Sequence, residues 1–106
     1  MAESRLYGPI RSALELMGHI VTRVHSGKVK VRGGWMQLAE EGTPDFHVGL
    51  SGGGSMWLEV KDDDGELSHA QKRWHERAKK GGHRVYVVRS VAEALEAALV
   101  RSMVGR

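Results

Sequence analysis

Apolar residues at Leu6, Ile10, Ala13, Leu14 and Met17 recur at the three-to-four-residue spacing of a helix, and Gly18 follows where a left-handed residue would end it. The spacing predicts a first helix whose firm part is 9–17. Pro9 has no amide hydrogen and fits only a first turn, so 3–8 is either a preceding turn or a loosely held extension. The run His19 to His25 is rich in β-branched residues, and Val29-Lys30-Val31 alternates after Ser26-Gly27, which predicts one or two strands around a turn. Around Trp35, Met36 and Leu38, the pair Gly33-Gly34 and the run Glu40-Glu41-Gly42 predict a loop.

Two short apolar runs, Asp45 to Leu50 and Met56 to Lys61, flank Ser51-Gly52-Gly53-Gly54-Ser55 and predict a β-hairpin. Ser68 and Gln71 have the spacing of a capping box, and Ala70, Trp74 and Ala78 share one face of a helix over 68–80 that Gly81-Gly82 closes. Arg84 to Val88 reads as a buried strand. Ser90 and Glu93 then open a last amphipathic helix through Val91, Leu95, Ala98 and Leu99, expected to fray near Gly105. This order gives an α/β fold: one mixed sheet flanked by helices, with 68–80 as a right-handed crossover between the hairpin and the last strand.

A chain of 106 residues can build one domain with one core, and is too short for two. The absence of cysteine excludes disulfides and thiolate metal sites, so a metal would need carboxylates, imidazoles or carbonyls, the ligand set of Mg²⁺ or Mn²⁺ rather than Zn²⁺. No secretory leader and no apolar run of the roughly 20 residues needed for a membrane span is seen, so a soluble, intracellular, cytoplasmic protein is expected. The net charge of +3 conceals segregation, with acids clustered at 59–66 and bases at 72–84. A local basic surface suits a polyanionic partner.

Within the hairpin, Glu59 and Lys61 stand two apart on a strand and so project from one face, while Leu58 and Val60 project from the other. Asp45 begins the partner strand, where an antiparallel pairing can bring its carboxylate near that of Glu59. Two carboxylates and the main-chain oxygen of Val60 could supply part of an octahedral shell, with water and a phosphate oxygen completing it. Lys61 could position the attacking water or assist its deprotonation. The ordinary alternative is that Glu-x-Lys is a solvated ion pair worth about 0–1 kcal/mol and that Pro-Asp is a common turn. Their joint order, with a glycine turn between them and a capped helix after, favours the chemical reading.

The elements Gly42-Thr43-Pro44-Asp45, Trp57-Leu58-Glu59-Val60-Lys61, Leu67-Ser68 with Gln71 and Trp74, and Gly82-His83-Arg84-Val85-Tyr86-Val87-Val88 together resemble a VRR-NUC domain. That family is a branch of the PD-(D/E)xK nuclease superfamily, and the similarity spans nearly all of 1–106 as a single domain. The resemblance implies a restriction-endonuclease-like αβββαβ core, a hydrolase dependent on Mg²⁺ or Mn²⁺, and DNA as substrate. It matches Asp45 and Glu59 to the metal-binding acids, Lys61 to the catalytic lysine and Gln71 to the helix glutamine near the site. A glutamate from the first helix usually completes such a site, and Glu3 is the preferred match, with Glu15 second. Stand-alone domains of this size are similar to phage-encoded proteins that dimerise and cut branched DNA in the manner of Holliday-junction resolvases, which would place the chain in a host cytoplasm.

Gln71 has two roles open to it, a ligand-orienting one and simple capping of the helix at Ser68. Arg23, Ser26 and Lys28 on the early strand and turn, and Lys72 and Arg73 on the later helix, are candidates for phosphate contacts, against the ordinary reading of solvated surface. Trp35 and Trp57 could stack on an unpaired base, although packing in a core or dimer is the more usual use of tryptophan. Asp62-Asp63-Asp64-Gly65 lacks the glutamate an EF-hand requires at its twelfth position and reads as an exposed turn. The six histidines show no metal-ligand spacing and stay outside the expected site. Two classes of function remain: a metal-dependent endodeoxyribonuclease, and a DNA-binding module of the same fold with weak or lost catalysis. A protein-interaction scaffold leaves the strand acid and lysine without a purpose.

Overall fold

A computed structural model describes residues 4–104, with side chains through residue 100. In it the chain runs α1 (Tyr7–Leu16), β1 (Ile20–Arg23), β2 (Lys28–Val31), β3 (Gly34–Gln37), β4 (Phe46–Gly49), β5 (Ser55–Val60), α2 (His69–Lys80), β6 (Val85–Val88) and α3 (Val91–Val104). The main sheet has the order β1-β4-β5-β6, antiparallel across its first two pairings and parallel between β5 and β6. A parallel pairing needs a crossover, and α2 supplies it. The mixed sheet flanked by helices expected from the sequence is therefore the fold observed. No helix of the described residues is long and apolar enough to cross a membrane.

The alternation along the hairpin divides the sheet into two unlike faces. Phe46, Val48 and Leu50 of β4 and its end, with Met56, Leu58 and Val60 of β5, pack against Ile10 and Leu14 of α1 and Ala94, Ala97 and Ala98 of α3 to form the core. The small alanines of α3 let that helix approach the sheet closely. On the other face the residues in between meet α2: Trp57 packs edge-on against Trp74 with centroids 5.1 Å apart, and against His47 at 4.7 Å. Glu59 is on this second face, 1% exposed.

The structure corrects two local expectations. Helix α1 starts at Tyr7 rather than Pro9, with the Ile10 amide already bonded to Leu6 O at 2.9 Å. Pro9 costs nothing there because first-turn amides have no partner within the helix. The stretch expected to be a loop contains β3, which pairs with β2 as a separate two-stranded sheet around Arg32-Gly33, Gly33 having φ 90°. Strand β2 is the one expected from the alternation at 29–31, whereas β3, Gly-Trp-Met-Gln and exposed throughout, has no inside-outside alternation to mark it in the sequence.

The loop before β4 is seated on the first turn of α2 at Gly42. Its φ is 93°, and a Cβ at this position would lie 2.3 Å from Ala70 O and 2.6 Å from Ala70 C, both main-chain atoms. Gly42→Ala is expected to lose about 3 kcal/mol in chemical denaturation, because backbone strain and a clash with a fixed helix add. Gly52→Ala, at a similar φ of 89° but with nothing within 4 Å, should lose only about 1 kcal/mol. Equal losses would show that the seating of the loop on α2 is not what demands glycine.

Candidate active site

Asp45 is held at the start of β4 by the turn before it. Thr43 donates to Glu40 O through both its hydroxyl, at 2.6 Å, and its amide, at 3.1 Å, and the buried Pro44 follows. Asp45 Oδ2 accepts the Val60 amide at 2.7 Å and Oδ1 accepts the Tyr7 hydroxyl at 2.9 Å. The acid thus ties together α1, β4 and the end of β5. Burial, then the neighbouring Asp45 carboxylate, raise the Tyr7 hydroxyl well above the usual tyrosine range, so it remains a donor at any physiological pH.

Glu59 reaches the same place from the face under α2. Its Oε1 is 3.1 Å from His75 Nε2 and its Oε2 accepts Gln71 Nε2 at 3.3 Å. Gln71 also caps α2: its Oε1 accepts the Ser68 amide at 2.8 Å while Ser68 Oγ accepts the Gln71 amide at 3.1 Å. One amide group therefore serves both of the roles open to it, its oxygen holding the helix start and its nitrogen holding the acid. Burial raises the pKa of Glu59 and Asp45 raises it further, while the hydrogen bond from His75 opposes both.

Asp45, Glu59, Val60, Lys61 and Gln71 line one open cleft of about 540 Å³ together with Tyr7, Arg23, Ser26 and Lys28. Arg23 is anchored within it rather than solvated. Its guanidinium lies 4.5 Å from the Tyr7 ring centre, donates to Val24 O and to Asp45 O at 3.3 Å, and stands 3.9 Å from Asp45 Oδ1. Lys72 and Arg73 lie on the exposed side of α2, outside the cleft. Glu15 is exposed and pairs with Arg11 at 3.4 Å, away from the acids. Glu3, the preferred candidate for the helix acid, lies outside the described residues. Trp57 is packed between His47 and Trp74, whereas Trp35 is 67% exposed.

Tyr7 and His75 are in the site, and the sequence reading passed over both. Each carried a positional signal: Tyr7 is three before Ile10 and seven before Leu14 on the buried stripe of α1, and His75 is four after Gln71 on one face of α2.

The donor set is two adjacent carboxylates and the carbonyl of Val60, all oxygen, with no thiolate anywhere in the chain. Among the described residues no three acid or imidazole side chains form a complete cage. Mg²⁺ commonly takes one or two carboxylates and leaves its other positions to water and substrate phosphate, so the residues present fit Mg²⁺ or Mn²⁺. The raised pKa of Glu59 beside a second acid is the electrostatic condition that a cation relieves.

No family model matches the chain, and no curated protein matches it. A solved structure of a VRR_NUC domain does, with 28% sequence identity, 87% of this chain and 88% of that chain covered, and a TM-score of 0.64. The resemblance read from the sequence is thus borne out in three dimensions. The chain has the fold of a VRR-NUC domain.

The perturbed acid gives a signed pH dependence. A carboxyl whose folded pKa is raised adds stability that is full below its unfolded pKa and is lost as pH rises through the folded value. In EDTA, Glu59→Gln should therefore melt progressively above the wild type as pH is raised from about 5 to 8. Mg²⁺ or Mn²⁺ at millimolar concentration should narrow the gap by stabilising only the wild type. A difference in melting temperature that does not change with pH, by calorimetry, would contradict the raised pKa.

Proposed function

We propose that the chain is a Mg²⁺- or Mn²⁺-dependent endodeoxyribonuclease that hydrolyses phosphodiester bonds in branched DNA, such as four-way junctions, as a homodimer. The observation that carries this reading is the convergence of Asp45, Glu59, Val60 and Lys61 on one open cleft, with one acid buried against the other. The likeness to a VRR_NUC domain supports it.

Asp45, Glu59 and the Val60 carbonyl are the groups that would hold the ion. When bound, the ion supplies positive charge to offset that of a scissile phosphate and makes a water more acidic. Both carboxylates are fixed in advance, Asp45 by Tyr7 and the Val60 amide, Glu59 by Gln71 and His75, so little rearrangement is needed on binding. Lys61 follows β5 directly and lines the same cleft as Glu59, and it orients the attacking water or takes its proton. Arg23, Ser26 and Lys28 face substrate phosphates in the cleft, and Lys72 and Arg73 meet the backbone farther out. A two-fold dimer pairs two such clefts, as cutting both strands of a junction requires.

One observation favours the alternative, a DNA-binding module with weak or lost catalysis. Among the described residues, α1 offers Asp45 a tyrosine hydroxyl and no carboxylate, leaving two acids at the site.

Labelled linear, flapped and four-way DNA, incubated with Mg²⁺, Mn²⁺ or EDTA, separates the two. The wild type is expected to cut only with metal, and Lys61→Ala to cut about 10²- to 10⁴-fold more slowly while still retaining DNA in EDTA. Retention without cleavage in either metal would establish the binding module instead, and unimpaired cleavage by Lys61→Ala would remove the lysine from the mechanism. Light scattering should give about twice the 11.7 kDa chain mass, and a monomer at micromolar concentration would contradict the dimer.

A further inference from the structure

The β2–β3 hairpin contributes nothing to the core, and only the start of β2 reaches the cleft that holds the acids. It is nevertheless firmly based, with the Leu38 amide bonded to Gly27 O at 2.8 Å, the Ala39 amide to His25 O at 3.0 Å and the Gln37 side-chain amide to Gly27 O at 3.0 Å. The exposed strands beyond this base are therefore held in a defined register.

That register sorts their side chains. Lys28 lies opposite Gln37 and Lys30 opposite Trp35, while Val29 lies opposite Met36 and Val31 opposite Gly34. Directly opposed residues share a face, so one face carries two amines and an indole and the other is apolar. Arg32 adds a third positive charge at the turn, and no acid occurs between Ser26 and Ala39. Trp35 is 67% exposed, whereas Trp57 and Trp74 are packed against each other.

The hairpin is also continuous with the site. Ser26, Lys28 and Val29 line the cleft that holds Asp45 and Glu59, and Trp35, paired with Lys30, stands two residues, roughly 7 Å, along the strand from Lys28. Flat apolar area flanked by ammonium groups matches a base with its neighbouring phosphates. It does not match an apolar protein surface, because interface cores are depleted of lysine.

We propose that the Lys28, Lys30 and Trp35 face of the β2–β3 hairpin holds an unpaired nucleotide beside the cleft, Trp35 stacking on the base and the lysines pairing with the flanking phosphates. This rests on DNA being the substrate, and it deepens that reading by making exposed bases the feature recognised. A continuous duplex buries its base faces in the stack, whereas a flap or an open branch presents them.

The test uses the full chain in EDTA, with two probes: a fully paired duplex, and the same duplex bearing a flap with 2-aminopurine at its first unpaired position. Trp35→Ala should weaken binding of the flapped probe about tenfold or more and abolish quenching of the 2-aminopurine, with duplex binding nearly unchanged. Trp35→Phe should restore most of both. Lys30→Ala should weaken both probes and lower the salt dependence of binding by about one phosphate contact. Circular dichroism would show each variant folded. The proposal is overturned if Trp35→Ala binds the flap like the wild type, if it loses flap and duplex equally, or if it turns a dimer into a monomer by light scattering, which would give this face to a second copy of the chain. Failure of the wild type to retain either probe would overturn the DNA reading as a whole, whereas each of the other outcomes leaves it standing.

Discussion

A carboxylate buried in a sheet face is the constraint on which the rest of this structure turns. Glu59 is 1% exposed, and a buried charge without partners would cost several kcal/mol. The chain meets that demand from α2, with Gln71 and His75 each giving a ring or amide nitrogen to one carboxylate oxygen. Both must be placed to within hydrogen-bond distance, so the position of α2 over the sheet follows from the acid as much as from Trp57 packing on Trp74. The loop that carries Asp45 is set by the same helix, since Gly42 rests on the Ala70 carbonyl.

Helix start and site are thus one object. The capping box uses Gln71 Oε1, which fixes the amide plane and so aims Nε2 at Glu59. Replacing this glutamine would free the helix end and the acid together, and measured losses of stability and of activity at this position would be inseparable by a single substitution. Asp45 shows the same economy on the other side, since its two oxygens join β5 to α1 through the Val60 amide and the Tyr7 hydroxyl. A site held by two such double contacts is preorganised, and preorganised charge is what phosphoryl chemistry requires of a protein.

What could be read from the sequence follows from the range of each interaction. Glu59 and Lys61 on one strand face, the glycine turn and the Ser68–Gln71 cap are spacings of two to five residues, and local geometry alone determines them. Tyr7 meets Asp45 across 38 residues and His75 meets Glu59 across 16, so helical spacing could mark the face each occupies but not the acid it meets. The resemblance to VRR-NUC domains supplied the topology that joins the early helix to the hairpin, and among the described residues of that helix the side chain that reaches Asp45 is a tyrosine, which no motif had marked. Strand β3 escaped notice for a different reason, because Gly-Trp-Met-Gln, exposed throughout and preceded by paired glycines, has no alternation to display, while its partner β2 does.

Charge is laid out unevenly around the cleft, and this bears on how a polyanion would approach it. Asp62, Asp63 and Asp64 form one flank, fixed by Arg89 donating to the Asp62 and Asp63 carbonyls at 2.7 and 3.4 Å, which leaves the carboxylates themselves exposed. Arg23 and Lys28 form the other flank, and Lys30 and Arg32 continue it along the hairpin. A phosphate backbone is repelled by the first and drawn to the second over about one Debye length, some 8 Å at physiological salt. On the proposed reading the acidic flank therefore has a purpose beyond solubility: it confines DNA to the hairpin side, where Trp35 stands. Neutralising Asp63 and Asp64 should then loosen that confinement without touching the acids of the site.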